Sequence, residues 1–299
     1  MESFGFSLEP VAPFRLDLTV WALRRRPENS IDRWDGLAYR RLLVVQKIPL
    51  EVEVVQTGPP DTPRLHATVT GIKIPPGAES FLVSTLTRMP GTNRDLAGFY
   101  GFVERHPKLN ALATRFRGVK PPQFPTLFEA LVNAVSCQQL SLVVGILLLN
   151  RLASAFGVPF SNQEEHPHAF PLPEELSALE PGALRPLGFS LRKAGAVAGK
   201  QVGQGELETL DNEAVVARLG KLRGIGRWSA EYVLPRGLGR LDVFPADDVG
   251  ARNGLRGRLE LPGALNYEAV RRSIAPWNAY GGLIYFHLLL KGLGEAGCL

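Results

Sequence analysis

Cysteine is scarce in this chain: Cys137 and Cys298 are the only two among 299 residues. That number excludes a disulfide framework, a zinc ribbon and a four-cysteine iron–sulfur cluster. The opening residues MESFGFSLEP lack the basic-then-apolar layout of a secretory signal. Long apolar runs are missing too. The longest, Leu142 to Leu149, has a glycine inside it and falls far short of the ~20 residues a membrane span needs. A soluble, cytoplasmic and nucleoid-associated chain without membrane attachment is expected, and a monomer, since nothing suggests an obligate dimer. There is no internal repeat, and the 31 glycines and 24 prolines follow no period. They point to many short connections.

What is present begins with an ordinary core. Hydrophobic residues make up 45% and charged residues 21%, and the length suits about two domains of ~100–200 residues. The net charge is +5. Arginine dominates the basic residues, and its planar fork suits phosphate. Residues 1–120 carry 17 basic against 12 acidic side chains, so the remainder is neutral overall. Within that remainder, residues 221–240 gather Lys221, Arg223, Arg227, Arg236 and Arg240 against Glu231 alone.

The first hundred residues read mainly as strands. Phe14 to Val20 alternates apolar and polar, and Leu42–Val45, Leu50–Val55 and Leu65–Val69 are rich in β-branched residues. Phe81–Arg88 and Leu96–His106 look helical. Character changes at the proline-rich joint Lys120–Pro125, which sets the expected boundary between domains at 1–120 and 121–299. Beyond it, Phe128, Leu131, Val132 and Val135 share a helix face, and Ser141–Phe156 predicts a second helix stopped by Gly157. Residues 158–173 read as a loop. Helical patterns return at 173–179, 191–202, 212–218, 228–236 and 267–275. The expected fold class is α+β: an antiparallel sheet with helices, then an all-helical domain.

Two motifs carry chemistry. Leu222-Arg223-Gly224-Ile225-Gly226 reads as a tight turn between two helices, with glycines that permit positive φ and leave N–H groups open at a helix N-terminus. That terminus, with Lys221, Arg223 and Arg227 around it, suits a DNA phosphate. A plain C-capping glycine explains the same residues. The second motif is Pro245-Ala246-Asp247-Asp248. Helix capping accounts for one aspartate and leaves the other without a role. His166 and His168 sit in the proline-rich loop with too few neighbouring ligands for a metal. Cys137 reads as a small buried residue.

Taken in order, Leu222–Trp228, Tyr232 and Pro245–Asp248 resemble the helix–hairpin–helix DNA glycosylase superfamily. The Gly-Ile-Gly-Arg-Trp form is similar to its DNA-3-methyladenine glycosylase II branch. Phe128–Val132 leading into Gln138-Gln139-Leu140-Ser141, then Leu187–Ala194, then Pro276–Tyr280 agree with that branch in the same order. The resemblance covers residues ~125–292 and is specific as a spaced set.

The resemblance implies a monofunctional enzyme of base excision repair. It would flip alkylated bases of the 3-methyladenine type out of duplex DNA and hydrolyse the N-glycosidic bond, with no cofactor. Asp248 would be the catalytic carboxylate facing the oxocarbenium-like sugar. Lyase members carry a lysine where this chain has Trp228. Trp228 and Tyr232 would form the pocket, with Tyr280 and Phe286 as further wall residues; the family often has tryptophan where Phe286 stands. Gln138 would lie near the pocket, and Gln139 would enter the gap left by the flipped nucleotide. Core packing is an equal reading for Tyr232, and solvated junction glutamines for Gln138 and Gln139. Gly224 and Gly226 would contact phosphate, with Lys221, Arg223 and Arg227 as flanking charges or ordinary surface residues. The only ion implied is a monovalent cation at the hairpin carbonyls of Leu222 and Ile225. Competing readings are a non-catalytic helix–hairpin–helix DNA-binding protein, an oxidised-purine glycosylase/lyase and an unrelated basic α+β enzyme.

Overall fold

The structure is a computed structural model that describes residues 1–161, 167–199 and 203–299. His166 and the last residues of the helix expected over 191–202 lie outside the described residues.

Five strands form one antiparallel sheet in the order β1-β5-β4-β3-β2: β1 (Glu2–Leu8), β2 (Arg33–Trp34), β3 (Ala38–Val45), β4 (Ile48–Gln56) and β5 (Leu65–Gly71). The register sets Leu43 against Leu50 and Val52 against Val69, so alternate side chains of each strand enter one core. Gln46 and Lys47 close the β3–β4 hairpin, both at positive φ, the geometry a two-residue hairpin matched to strand twist demands.

The segment Phe14–Val20 is not a strand. It enters helix α1 (Leu16–Arg24). Leu16, Val20 and Leu23 pack into the core beside the sheet, while Leu18 and Ala22 pack into a second core made with the C-terminal helices. A helix buried on two sides shows apolar residues at spacing two as well as three and four, which mimics strand alternation.

Helices α2 (Ala78–Arg88), α3 (Ala97–Val103) and α4 (Pro107–Arg115) follow. The joint at 120–125 is not an exposed linker. Lys120 to Phe124 is buried, and Gln123 and Phe124 donate their N–H groups to Met89 and Arg236. The two cores each take residues from both sides of it. After the joint come α5 (Leu127–Cys137), α6 (Leu142–Phe156), α7 (Pro173–Ser177), α8 (Leu191–Val197), α9 (Gln204–Glu208), α10 (Asn212–Gly220), α11 (Arg227–Gly237), α12 (Val249–Leu259), α13 (Tyr267–Ile274) and α14 (Gly281–Glu295). Thr126, Ser141, Ser190, Asp211, Asp248 and Asn266 cap their helices through side-chain oxygens, each contributing about 1 kcal/mol. α14 is apolar on most sides and buried continuously from Gly281 to Leu288.

The sheet is fastened to α5 by charge. Arg41 is buried and reaches Asp32 at 2.7 Å and Glu129 at 2.5 Å. Among the described residues no helix is long and apolar enough to cross a membrane.

Candidate active site

The hairpin forms as its glycines require. α10 ends at Gly220, the chain turns through 221–226, and α11 opens at Arg227. Gly224 has φ +84°, and a Cβ there would meet the Ala196 side chain at 2.7 Å; only glycine fits. Gly226 differs from expectation. Its φ is −98°, so it needs no left-handed freedom, and its Cβ direction is open. No side chain caps α11, which leaves its first N–H groups available to an anion.

α11 and α12 bring the second motif to the same place. Asp248 caps α12, its Oδ1 accepting the Ala251 N–H at 2.8 Å. Its Oδ2 accepts the Trp228 indole N–H at 3.2 Å. Asp247, the aspartate that capping left without a role, accepts from Arg227 at 2.8 Å. Arg227 also lies over the Tyr267 ring at 3.6 Å, so its guanidinium is held in place although the side chain stays exposed. Glu231, buried beneath, accepts from the Ala246 N–H at 3.1 Å and from the Tyr267 hydroxyl at 2.6 Å. It fixes the approach to Asp248, and burial pushes its carboxyl pKa up.

A cleft of about 970 Å³ opens between these elements. Asp248, Trp228, Tyr232, Gln138, Gln139, Gly224, Gly226 and Arg227 all line it. Trp228 is half-buried and rests on Tyr232, ring centroids 5.4 Å apart. Tyr232 itself is only 2% exposed. With Trp228 on its ring and the Arg236 guanidinium 5.2 Å from its centroid, it supports Trp228 instead of offering an open face.

Two expected wall residues lie elsewhere. Phe286 is fully buried in the C-terminal core; α14 meets the cleft instead through its neighbour Tyr285 and through Leu288, Leu289, Gly292 and Leu293. Tyr280 packs on Phe99 and Phe102, away from the cleft lining.

Gln138 joins α5 to the hairpin, donating to the Gly224 carbonyl at 2.8 Å and to Ser229 Oγ at 2.6 Å. Gln139 is exposed at the rim with φ +54°. Lys193 holds that turn from below through the carbonyls of Ser136 at 3.0 Å and Gln138 at 2.7 Å, and burial lowers its amine pKa. Cys137 is half-buried and lines the cleft, not enclosed in the core. Lys221 and Arg223 are exposed beside the hairpin. Arg236 and Arg240 are not surface charges: Arg236 is fully buried, and Arg240 donates to Asn212 Oδ1 and the Leu207 carbonyl.

The cleft also takes residues that no sequence motif marks. Arg25, at the end of α1 with φ +63°, reaches in from the sheet side and donates to the Tyr232 hydroxyl at 2.9 Å. Its one local cue, an arginine at a helix C-terminus, is common. As for ions, among the described residues no group of histidine, cysteine or carboxylate side chains is arranged to hold a metal. Of the hairpin carbonyls, Leu222 O accepts the Ile225 N–H and Gly224 O accepts the Gln138 amide.

No protein-family model matches the chain. DNA-3-methyladenine glycosylase 1 of Schizosaccharomyces pombe is 34% identical over 170 residues, spanning 54% of this chain and 71% of that protein. The chain belongs to the DNA-3-methyladenine glycosylase family. Two solved structures agree in fold with this glycosylase. The 3-methyladenine DNA-glycosylase of Archaeoglobus fulgidus has a TM-score of 0.83 at 24% identity, covering 95% of this chain and 97% of that one. The S. pombe enzyme Mag1, in complex with abasic DNA, has a TM-score of 0.52 at 29% identity over 62% of this chain and 91% of that one.

Proposed function

We propose that this glycosylase is monofunctional: it flips an alkylated base from duplex DNA into the cleft, hydrolyses the N-glycosidic bond and leaves an intact abasic site. The observation that carries the reading is Asp248, held by a helix cap and by Trp228, in a cleft bordered by a glycine hairpin. As the bond breaks, the sugar gains positive charge, and a fixed carboxylate acts most strongly on that transition state. Many alkylated bases are cationic and leave readily. They are also drawn to the exposed face of Trp228 by ~0.5–2 kcal/mol.

DNA binding is assigned to the open N–H groups of α11, to Gly224 and Gly226, and to the exposed Lys221 and Arg223. Gln139 is assigned to the gap in the duplex. Residues 121–299 supply all of these groups, and residues 1–120 supply Arg25. A non-catalytic DNA-binding protein would have no use for the Asp248–Trp228 pair. A lyase needs an amine nucleophile; the hairpin position holds Trp228, and the cleft's Lys193 is tied to two carbonyls.

Base release from methylated duplex DNA, followed by chromatography, tests the reading. Free methylated base with unbroken strands is the expected result. Strand cleavage by purified protein under conditions that spare abasic sites would overturn the monofunctional assignment.

A further inference from the structure

Arg25 and Arg236 place two positive charges against the closed end of the cleft. Arg25 is 3% exposed and Arg236 fully buried, and both line the cavity. Among the described residues neither forms an ion pair with a carboxylate. Arg25 donates to Tyr232, to Asn133 and to Cys137 Sγ at 3.9 Å; Arg236 donates to the Tyr285 hydroxyl at 3.3 Å and the Ala22 carbonyl at 3.1 Å. One wall therefore runs from an acid to a base in contact steps: Asp248, the Trp228 indole, the stacked Tyr232 ring, and Arg25 on its hydroxyl. The field along that wall is negative at the half-exposed end and positive at the buried end.

We infer that Arg25 sets the charge of the base subsite, so that the cleft draws electrons onto the departing base while Asp248 stabilises the sugar. This rests on the glycosylase reading above. In the step concerned, the C1′–N bond breaks and its electron pair leaves with the base. The sugar becomes an oxocarbenium ion and then takes the oxygen of a water, whose proton passes through Asp248 to solvent. A cationic base departs neutral; a neutral base departs as an anion and takes a proton from water. In both cases the base gains one unit of negative charge beside the guanidinium, and the fixed cation favours that gain.

The two kinds of base nevertheless respond differently when the charge is removed. A cationic base is repelled by Arg25 while bound and becomes neutral in the transition state. A neutral base feels no net repulsion when bound and becomes anionic. Interactions present in only one of these states separate binding from rate.

The test uses the full chain under single-turnover conditions, with duplexes carrying one 7-methylguanine (cationic) or one hypoxanthine (neutral). For Arg25→Gln, which keeps a donor for Tyr232, the maximal rate should fall at least tenfold on both substrates. On 7-methylguanine the half-saturating enzyme concentration should fall in step, leaving the ratio of the two nearly unchanged. On hypoxanthine it should stay constant, so the ratio falls at least tenfold. Arg25→Lys should restore the parent pattern to within a few-fold, and Arg25→Met should repeat the Gln pattern. Equal losses of the ratio on both substrates, or no loss on either, would overturn the inference and mark Arg25 as structural. A parent that releases 7-methylguanine but no hypoxanthine also overturns it while the proposed function stands. A parent that releases neither base contradicts the proposed function itself.

Discussion

The Trp228 indole nitrogen donates to Asp248 across 3.2 Å, and the same carboxylate holds the first turn of α12 with its other oxygen. The two residues lie twenty positions apart in the chain. One group thus caps a helix and presents a carboxylate to the cleft, so the capping role does not compete with the catalytic role proposed for it. The bond also fixes the indole plane against Tyr232, setting the wall on which a flipped base would rest.

Trp228 has two separable tasks. Trp228→Phe keeps an aromatic face and removes the donor to Asp248, whereas Trp228→Ala removes both. Base release should fall moderately in the first and much further in the second, by the ~1–3 kcal/mol typical of base–aromatic stacking. Single-turnover rates on methylated duplex measure this. Equal effects would mean that the ring face carries nothing.

At the rim, Gln139→Ala should weaken binding to duplex containing an abasic site more than binding to single strands, as only a duplex offers a gap to fill. Gln138→Ala should act otherwise, because it unties the hairpin from α5. Its affinity should drop for both forms, and its salt dependence should flatten if phosphate contacts are lost. Fluorescence anisotropy at several salt concentrations separates the two.

Part of this site is legible in the sequence, and the rest is decided by tertiary packing. Gly224, Trp228 and Asp248 belong to local motifs in which spacing and residue type together specify a conformation. α1 and α14 do not. Both are buried on several faces, so neither shows the single apolar stripe from which helix phase is read. α1 therefore resembles a strand in its sequence pattern, and Phe286 points into the core while Tyr285, Leu288 and Leu289 meet the cleft. Arg25 was missed because its importance comes wholly from tertiary placement. The charge cluster over 221–240 misled in the opposite way: nothing local tells that Arg236 is enclosed and Arg227 paired with Asp247.

The Arg41 ion pairs tie the sheet to α5. Arg41→Met would leave Asp32 and Glu129 buried without a counter-charge, and removing one partner of such a site costs about 3–5 kcal/mol. Thermal unfolding should move to markedly lower temperature. An unchanged melting temperature would show that this junction is not under electrostatic control.

His287 gives the fold an acid sensitivity. Buried among Phe99 and Phe116 on α14, its imidazole pKa is pushed down by burial from 6.5 to about 4. The unfolded chain binds a proton there at a pH where the native chain does not, so stability present above pH 6.5 is lost as pH falls toward 4. The linkage is worth roughly 3 kcal/mol over that window. Chemical denaturation from pH 7 to pH 4.5 should show the loss, and His287→Leu should flatten it. A parent and variant with the same slope would contradict this origin.

The most direct test of the central claim is base release by Asp248→Asn compared with the parent, with binding to the same methylated duplex measured alongside. Asparagine keeps a side-chain oxygen for the α12 cap, so the fold and the duplex affinity should persist, while release should slow by about 10²–10³-fold. Near-parental release from the Asp248→Asn protein would remove this carboxylate from the chemistry.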